Sequence, residues 1–67
     1  MNTLYQVQLE THGSIYCLEV ATEDENAVDI AKKYVKERNQ DEGPFHVGGY
    51  CSIGYTEQEG ILEFREI

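Results

Sequence analysis

The chain has 67 residues, with 13 Asp and Glu against 5 Lys and Arg, and a formal net charge of −8 at pH 7. A chain of that length makes one compact domain, residues 1–67, buries about 60% of the surface its unfolded form exposes, and has no core to spare for an enclosed active-site cleft. The acidity disfavours direct binding to DNA or RNA, which depends on Lys and Arg, and no apolar run approaches the ~20 residues of a membrane span.

Residues 4–10 alternate: Tyr5, Val7 and Leu9 are apolar, while Gln6, Gln8 and Glu10 are polar. That period of two predicts a half-buried strand. His12-Gly13 follows as a short turn, the glycine free to take a positive φ. Ile15 to Ala21 is predicted as the second strand of a hairpin. Tyr16, Leu18 and Val20 lie on one of its faces, with Cys17 and Glu19 on the other.

Thr22-Glu23-Asp24-Glu25 has the form of a capping box, in which the Thr hydroxyl accepts from a helical N–H and the Glu reaches back. Three acids there suit the positive end of a helix dipole. Ala27, Val28, Ile30, Ala31, Tyr34 and Val35 recur at helical spacing and predict an apolar stripe. Lys32, Lys33, Lys36 and Arg38 crowd the last turns before Asn39. The expected helix is about 17 residues and ~25 Å long. Its lysines suit the dipole, and Asp29–Lys33 and Lys33–Glu37 are spaced for ion pairs.

Gln40 to Pro44 reads as a loop. Phe45 to Tyr55 is predicted as a third strand in which Gly48-Gly49 marks a bulge or a close backbone approach. On simple alternation Ile53 and Tyr55 face inward with Cys51, and Tyr50 lies on the uncovered face. Thr56 to Gly60 is a turn. Ile61 to Ile67 is the last strand, with Leu62 and Phe64 opposite Ile61, Glu63 and Arg65. The expected fold is α+β in the order ββαββ: one helix on one face of a four-stranded, mainly antiparallel sheet. Strand order is left open by the sequence.

His12 to Cys17 and His46 to Cys51 both read His, four residues, Cys. Two His and two Cys are a zinc ligand set, but residues five apart in a strand point to opposite faces, so no metal site is expected. Two cysteines with no basic, apolar leader ahead of them read as free thiols. The alternation puts Cys17 and Cys51 on different faces, against a disulfide. No nucleophile elbow, phosphate loop or other catalytic motif is present, and the expectation is a cytoplasmic, non-catalytic protein without a cofactor. Five tyrosines without a tryptophan suit an interface, since tyrosine offers large area and a polar tip; Tyr50 is the leading candidate.

The stretch from Val20 to Ala27, continuing through Ala31-Lys32 and flanked by two hairpins, resembles the small one-helix, one-sheet anti-CRISPR proteins that phages encode against host defence. That resemblance implies occlusion of a site on a Cas protein, sometimes by imitation of nucleic-acid charge. It carries no functional residue over to this chain. On the residues themselves, the leading expectation is a binder of a basic protein surface through Glu23, Asp24 and Glu25, Asp41 and Glu42, and Glu57 and Glu59. Tyr50, Lys32, Lys33 and Lys36 are secondary contacts, and the chain is a monomer or small homo-oligomer that contacts neither nucleic acid nor membrane directly. The alternatives are a small regulatory or assembly module, and a direct nucleic-acid binder using the helix-end lysines.

Overall fold

A computed structural model describes all 67 residues. The elements are β1 (Asn2–Thr11), β2 (Ser14–Thr22), α1 (Ala27–Asn39), β3 (His46–Thr56) and β4 (Gly60–Glu66). The ββαββ order and the α+β architecture follow the pattern of the residues. The four strands form one antiparallel sheet in the order β3-β1-β2-β4. The hairpin β1–β2 is thus the centre, β3 and β4 are the two edges, and α1 crosses β1 and β2 on one face.

The hairpin turns on His12 (φ 41°) and Gly13 (φ 87°), two left-handed residues that match the twist of the flanking strands. From there the register runs unbroken to Thr3 opposite Thr22. Val7, Leu9, Tyr16, Leu18 and Val20 point to the helix side and are buried with Ala27, Ala31 and Val35. Those three helix residues stand four apart, so they form one narrow stripe. Two of them are alanine, which lets the helix sit close to the sheet. Val28, Ile30 and Tyr34 flank the stripe and are half-buried.

The helix starts four residues later than the capping box suggests. Thr22 is still in the β1–β2 ladder, and the chain needs residues 23–26 to climb from the sheet edge onto its face. The Thr22 hydroxyl accepts from the Asp24 amide at 3.2 Å and donates to the Asn26 side-chain oxygen at 3.4 Å. Asn26 is the N-cap position but makes no side-chain cap bond. Its oxygen is engaged by Thr22 instead. The helix is therefore 13 residues long, and its first-turn acid is Asp29 rather than residues 23–25. Neither Asp29–Lys33 nor Lys33–Glu37 closes as an ion pair; the two that form are the Met1 ammonium with Glu23 at 4.0 Å and Arg65 with Glu63 at 3.5 Å.

Both edge strands carry register shifts. In β3 the pairing with β1 jumps between Gln8 and Leu9 and between Leu4 and Tyr5, leaving Gly48 and Ile53 as the extra residues. Gly48 leaves room there for the Glu10 carboxylate, which a Cβ would displace and which the Gln8 side-chain amide approaches to 3.3 Å. In β4 the shift between Glu19 and Val20 makes Leu62 the extra residue. It also moves Ile61 to the helix side with Phe64, against simple alternation.

These bulges reverse three expectations for side-chain placement. Tyr50 pairs with Val7 and so belongs to the helix side, not the uncovered face. Cys51 pairs with Gln6, while Cys17 pairs with Gln8. Both thiols therefore lie on the open face, with β1 between them. One intervening strand separates them by about 9–10 Å, beyond the reach of a disulfide, and both are free. Ile53 and Tyr55 are 47% and 74% exposed rather than inward. Tyr55 does share the helix-side face through its pairing with Thr3, but α1 is too narrow to cover it.

Candidate acidic and tyrosine surface

The connection from β3 to β4 decides where the acids sit. It must pass from one edge of the sheet to the other, a span of three strand spacings or about 14 Å. Four Cα steps, from Thr56 to Gly60, reach at most ~14 Å. Residues 57–59 make this short crossing past the ends of β1 and β2, bending at Glu57. The Asn2 side-chain amide, buried at the start of β1, donates to the Gln58 carbonyl at 2.7 Å and pins the crossing. The Gln58 amide donates back to the Thr56 hydroxyl at 3.1 Å.

The same end of the sheet carries the end of β2, because Thr22 lies opposite Thr3. Glu23, Asp24 and Glu25 leave from there, all exposed. Glu57 and Glu59, also exposed, lie on either side of Gln58 in the crossing. Five of the seven candidate acids therefore converge at one end, around the start of β1, with only the Met1 ammonium as a nearby partner. Tyr55 adjoins them, one residue before the strand end and 74% exposed.

Asp41 and Glu42 stand apart. They follow α1 at the opposite end, where the Asp41 carboxylate accepts from the Tyr16 hydroxyl at 3.1 Å and from the Gly43 amide at 3.0 Å. Asp41 thus ties the loop before β3 to the core. The structure does not join this pair to the other five.

Tyr50 stacks on Tyr5, with ring centroids 5.3 Å apart and planes 13° from parallel. Its hydroxyl is held above the ordinary value of 10.0 by desolvation first, then by Tyr5 and by the negative charge of Glu25. Glu25 therefore acts on the β3 tyrosine as well as on the acidic end. At the opposite edge of the same face, Phe64 is flanked by aromatic contacts with Tyr16 and Tyr34 and carries the Arg38 guanidinium 4.9 Å above its ring. Lys33 lines a shallow recess with Ile30, Tyr34, Glu37 and Ile61. That puts it toward β4, whereas Tyr50 is on β3. The helix lysines and the β3 tyrosine do not make one patch. Lys32 is half-buried and Lys36 exposed.

The open face mixes Gln6, Gln8 and Glu10 from β1, Glu19 from β2, and Glu63 and Arg65 from β4 with Leu4, Ile15, Ala21 and the two cysteines. Sequence alternation alone does not reveal its sharpest feature, the direct opposition of Glu19 and Glu63. Like charges facing across two strands are unfavourable. The Glu19 carboxyl accordingly lies above its usual 4.5, raised by desolvation first, then by its hydrogen bond to and repulsion from Glu63, and partly offset by Arg65.

No helix is long and apolar enough to cross a membrane. Comparison with protein-family models, with curated proteins and with solved structures finds no match to this chain.

Proposed function

We propose that this chain is a non-catalytic binder that blocks a basic, nucleic-acid-handling surface, and that it is a virus-encoded inhibitor of a host defence complex of the CRISPR–Cas type, working in the host cytoplasm. The observation that carries the reading is the gathering of Glu23, Asp24, Glu25, Glu57 and Glu59 at one end of the sheet beside exposed Tyr55. Carboxylates steer a basic partner into contact and set its register. A tyrosine at the margin supplies the area and the hydroxyl that anchor an interface. The reading uses no catalytic residue, metal or cofactor. It makes nucleic acid a competitor for the same partner and not a ligand of this chain.

The test is inhibition of target-DNA capture by a purified, guide-loaded Cas complex. The parent chain should block capture, and the block should weaken as salt rises, because screening acts on exposed charge. Replacing the five acids by Gln and Asn should weaken inhibition about tenfold or more, equivalent to at least ~1.4 kcal/mol. Replacing Glu42 alone, at the opposite end, should leave it within about twofold. A five-acid variant as potent as the parent would overturn the reading. So would a chain that shifts labelled DNA with no protein present.

A further inference from the structure

The longest uncharged stretch of the chain is residues 43–56. It contains the whole of β3, an edge strand of 11 residues. Edge strands offer unpaired N–H and C=O groups, and proteins ordinarily guard them with charge, proline or bulges; β3 has bulges at Gly48 and Ile53 but neither charge nor proline. The opposite edge follows that rule: β4 carries Glu63, Arg65 and Glu66. Between residues 46 and 56 there is no Asp, Glu, Lys, Arg or Pro. The strand also exposes Val47, Tyr50, Ile53 and Tyr55, four of the six large apolar side chains that reach solvent.

We infer that β3 is a self-pairing edge, and that two copies join through it, antiparallel about a twofold axis, into one continuous eight-stranded sheet. The occupant is a second copy because of charge. A chain of net −8 repels itself over most of its surface, and β3 is where two copies meet without bringing like charges together. A basic partner attracted by the acids would find no charge on this strand, only Tyr55 at its end.

The register follows from symmetry. Antiparallel pairing about a twofold axis sets one residue opposite itself. Pairing all of His46–Thr56 puts that residue at the midpoint, Cys51. Val47 then faces Tyr55 of the second copy and Tyr50 faces Ser52, so Val47, Tyr50 and Tyr55 of both strands line the helix-side face. With the bulges at Gly48 and Ile53, Val47, Tyr50, Ser52 and Tyr55 turn their backbone groups outward and form about eight hydrogen bonds across the twofold, within the range of a standard interface. Both open faces lie on one side, and Cys51, exposed and on that face, stands opposite Cys51 of the second copy. Directly opposed residues have Cα atoms about 4.5–5.5 Å apart, inside the range a disulfide spans.

The experiment combines mass and crosslinking. Light scattering after size exclusion, from low micromolar to about 100 µM chain, should show the dimer mass at the upper end. In a Cys17→Ser background, diamide should join two Cys51 thiols, each thiol losing a proton and the pair losing two electrons to the oxidant. Crosslinking should run about tenfold or more faster than in a Cys17→Ser, Cys51→Ser, Glu66→Cys chain, whose thiol sits on the guarded edge. Ile53→Lys, a change at an exposed side chain, should abolish both dimer and rapid crosslinking while circular dichroism stays that of the parent. A monomer at the highest concentration overturns the inference. So does a dimer whose Cys51 crosslinks no faster than the Glu66→Cys control.

Discussion

The Glu19–Glu63 opposition is a local cost with a calculable sign. Because the Glu19 carboxyl titrates above 4.5 in the folded chain, ionising it costs the native state more than the unfolded one. The related stability is fully present below the unfolded value and is lost as pH rises through the raised folded value. At neutral pH the penalty is in force. Glu19→Gln keeps the size and the hydrogen-bonding capacity and removes the charge, so it should raise Tm by about 1–2 °C at pH 7. Near pH 3.5, where the carboxyl is protonated in both states, parent and variant should melt together. A gain that persists unchanged into acid would mean that Glu63 is not its cause. Thr22 shows the opposite arrangement, a residue whose cost is avoided. Its hydroxyl both accepts from Asp24 and donates to Asn26, so the strand end and the helix start share one satisfied group where a conventional cap would have served only the helix.

Among the elements, the β3–β4 connection is the least tolerant. Only three residues link the two edges of the sheet. Deleting Gln58 cuts the reach to about 11 Å and removes the carbonyl that the Asn2 amide donates to at 2.7 Å. The deletion should cost several kcal/mol, about 3 or more on the scale of a lost buried network, and should release the end of β4 before the rest of the sheet. Inserting one glycine after Gln58 lengthens the loop at a cost of about 0.6 kcal/mol or less. Urea unfolding of the two variants compares them directly; equal losses would show that the crossing is slack. The bulges act on the same scale. Gly48 leaves room for the Glu10 carboxylate, and the shift it belongs to decides that Cys51 and not Tyr50 reaches the open face.

Over the whole molecule, charge is unevenly placed. Five exposed acids gather at one end, with one ion pair of 4.0 Å among them, and the cations of α1 lie elsewhere. Self-repulsion of this kind weakens the compact state and is screened by salt. Raising NaCl from about 10 to 300 mM should therefore raise Tm by a few degrees, about 3–5 °C. The five-acid variant should start higher and gain less than half as much. A parent Tm independent of salt would show that the gathered acids do not interact. The same asymmetry gives the molecule an acidic, tyrosine-bordered end and an uncharged edge.

What the sequence determined by itself is local and periodic. The alternation of Val7 and Leu9 with glutamines, the i, i+4 spacing of Ala27, Ala31 and Val35, and the His12-Gly13 turn specify two central strands, a helix and a hairpin. Each depends only on neighbours along the chain. The acidity and the absence of charge in residues 43–56 are also plain in the sequence. Tertiary structure alone decided the strand order, the faces beyond each bulge, and which acids share an end. A bulge is a mismatch in count between two strands, so one strand's residues cannot announce it, and a single extra residue exchanges the faces of those that follow. The capping box at Thr22 was overridden for a related reason: its hydroxyl is placed by pairing with Thr3, nineteen positions earlier, where burial of the sheet outweighs a local helix signal.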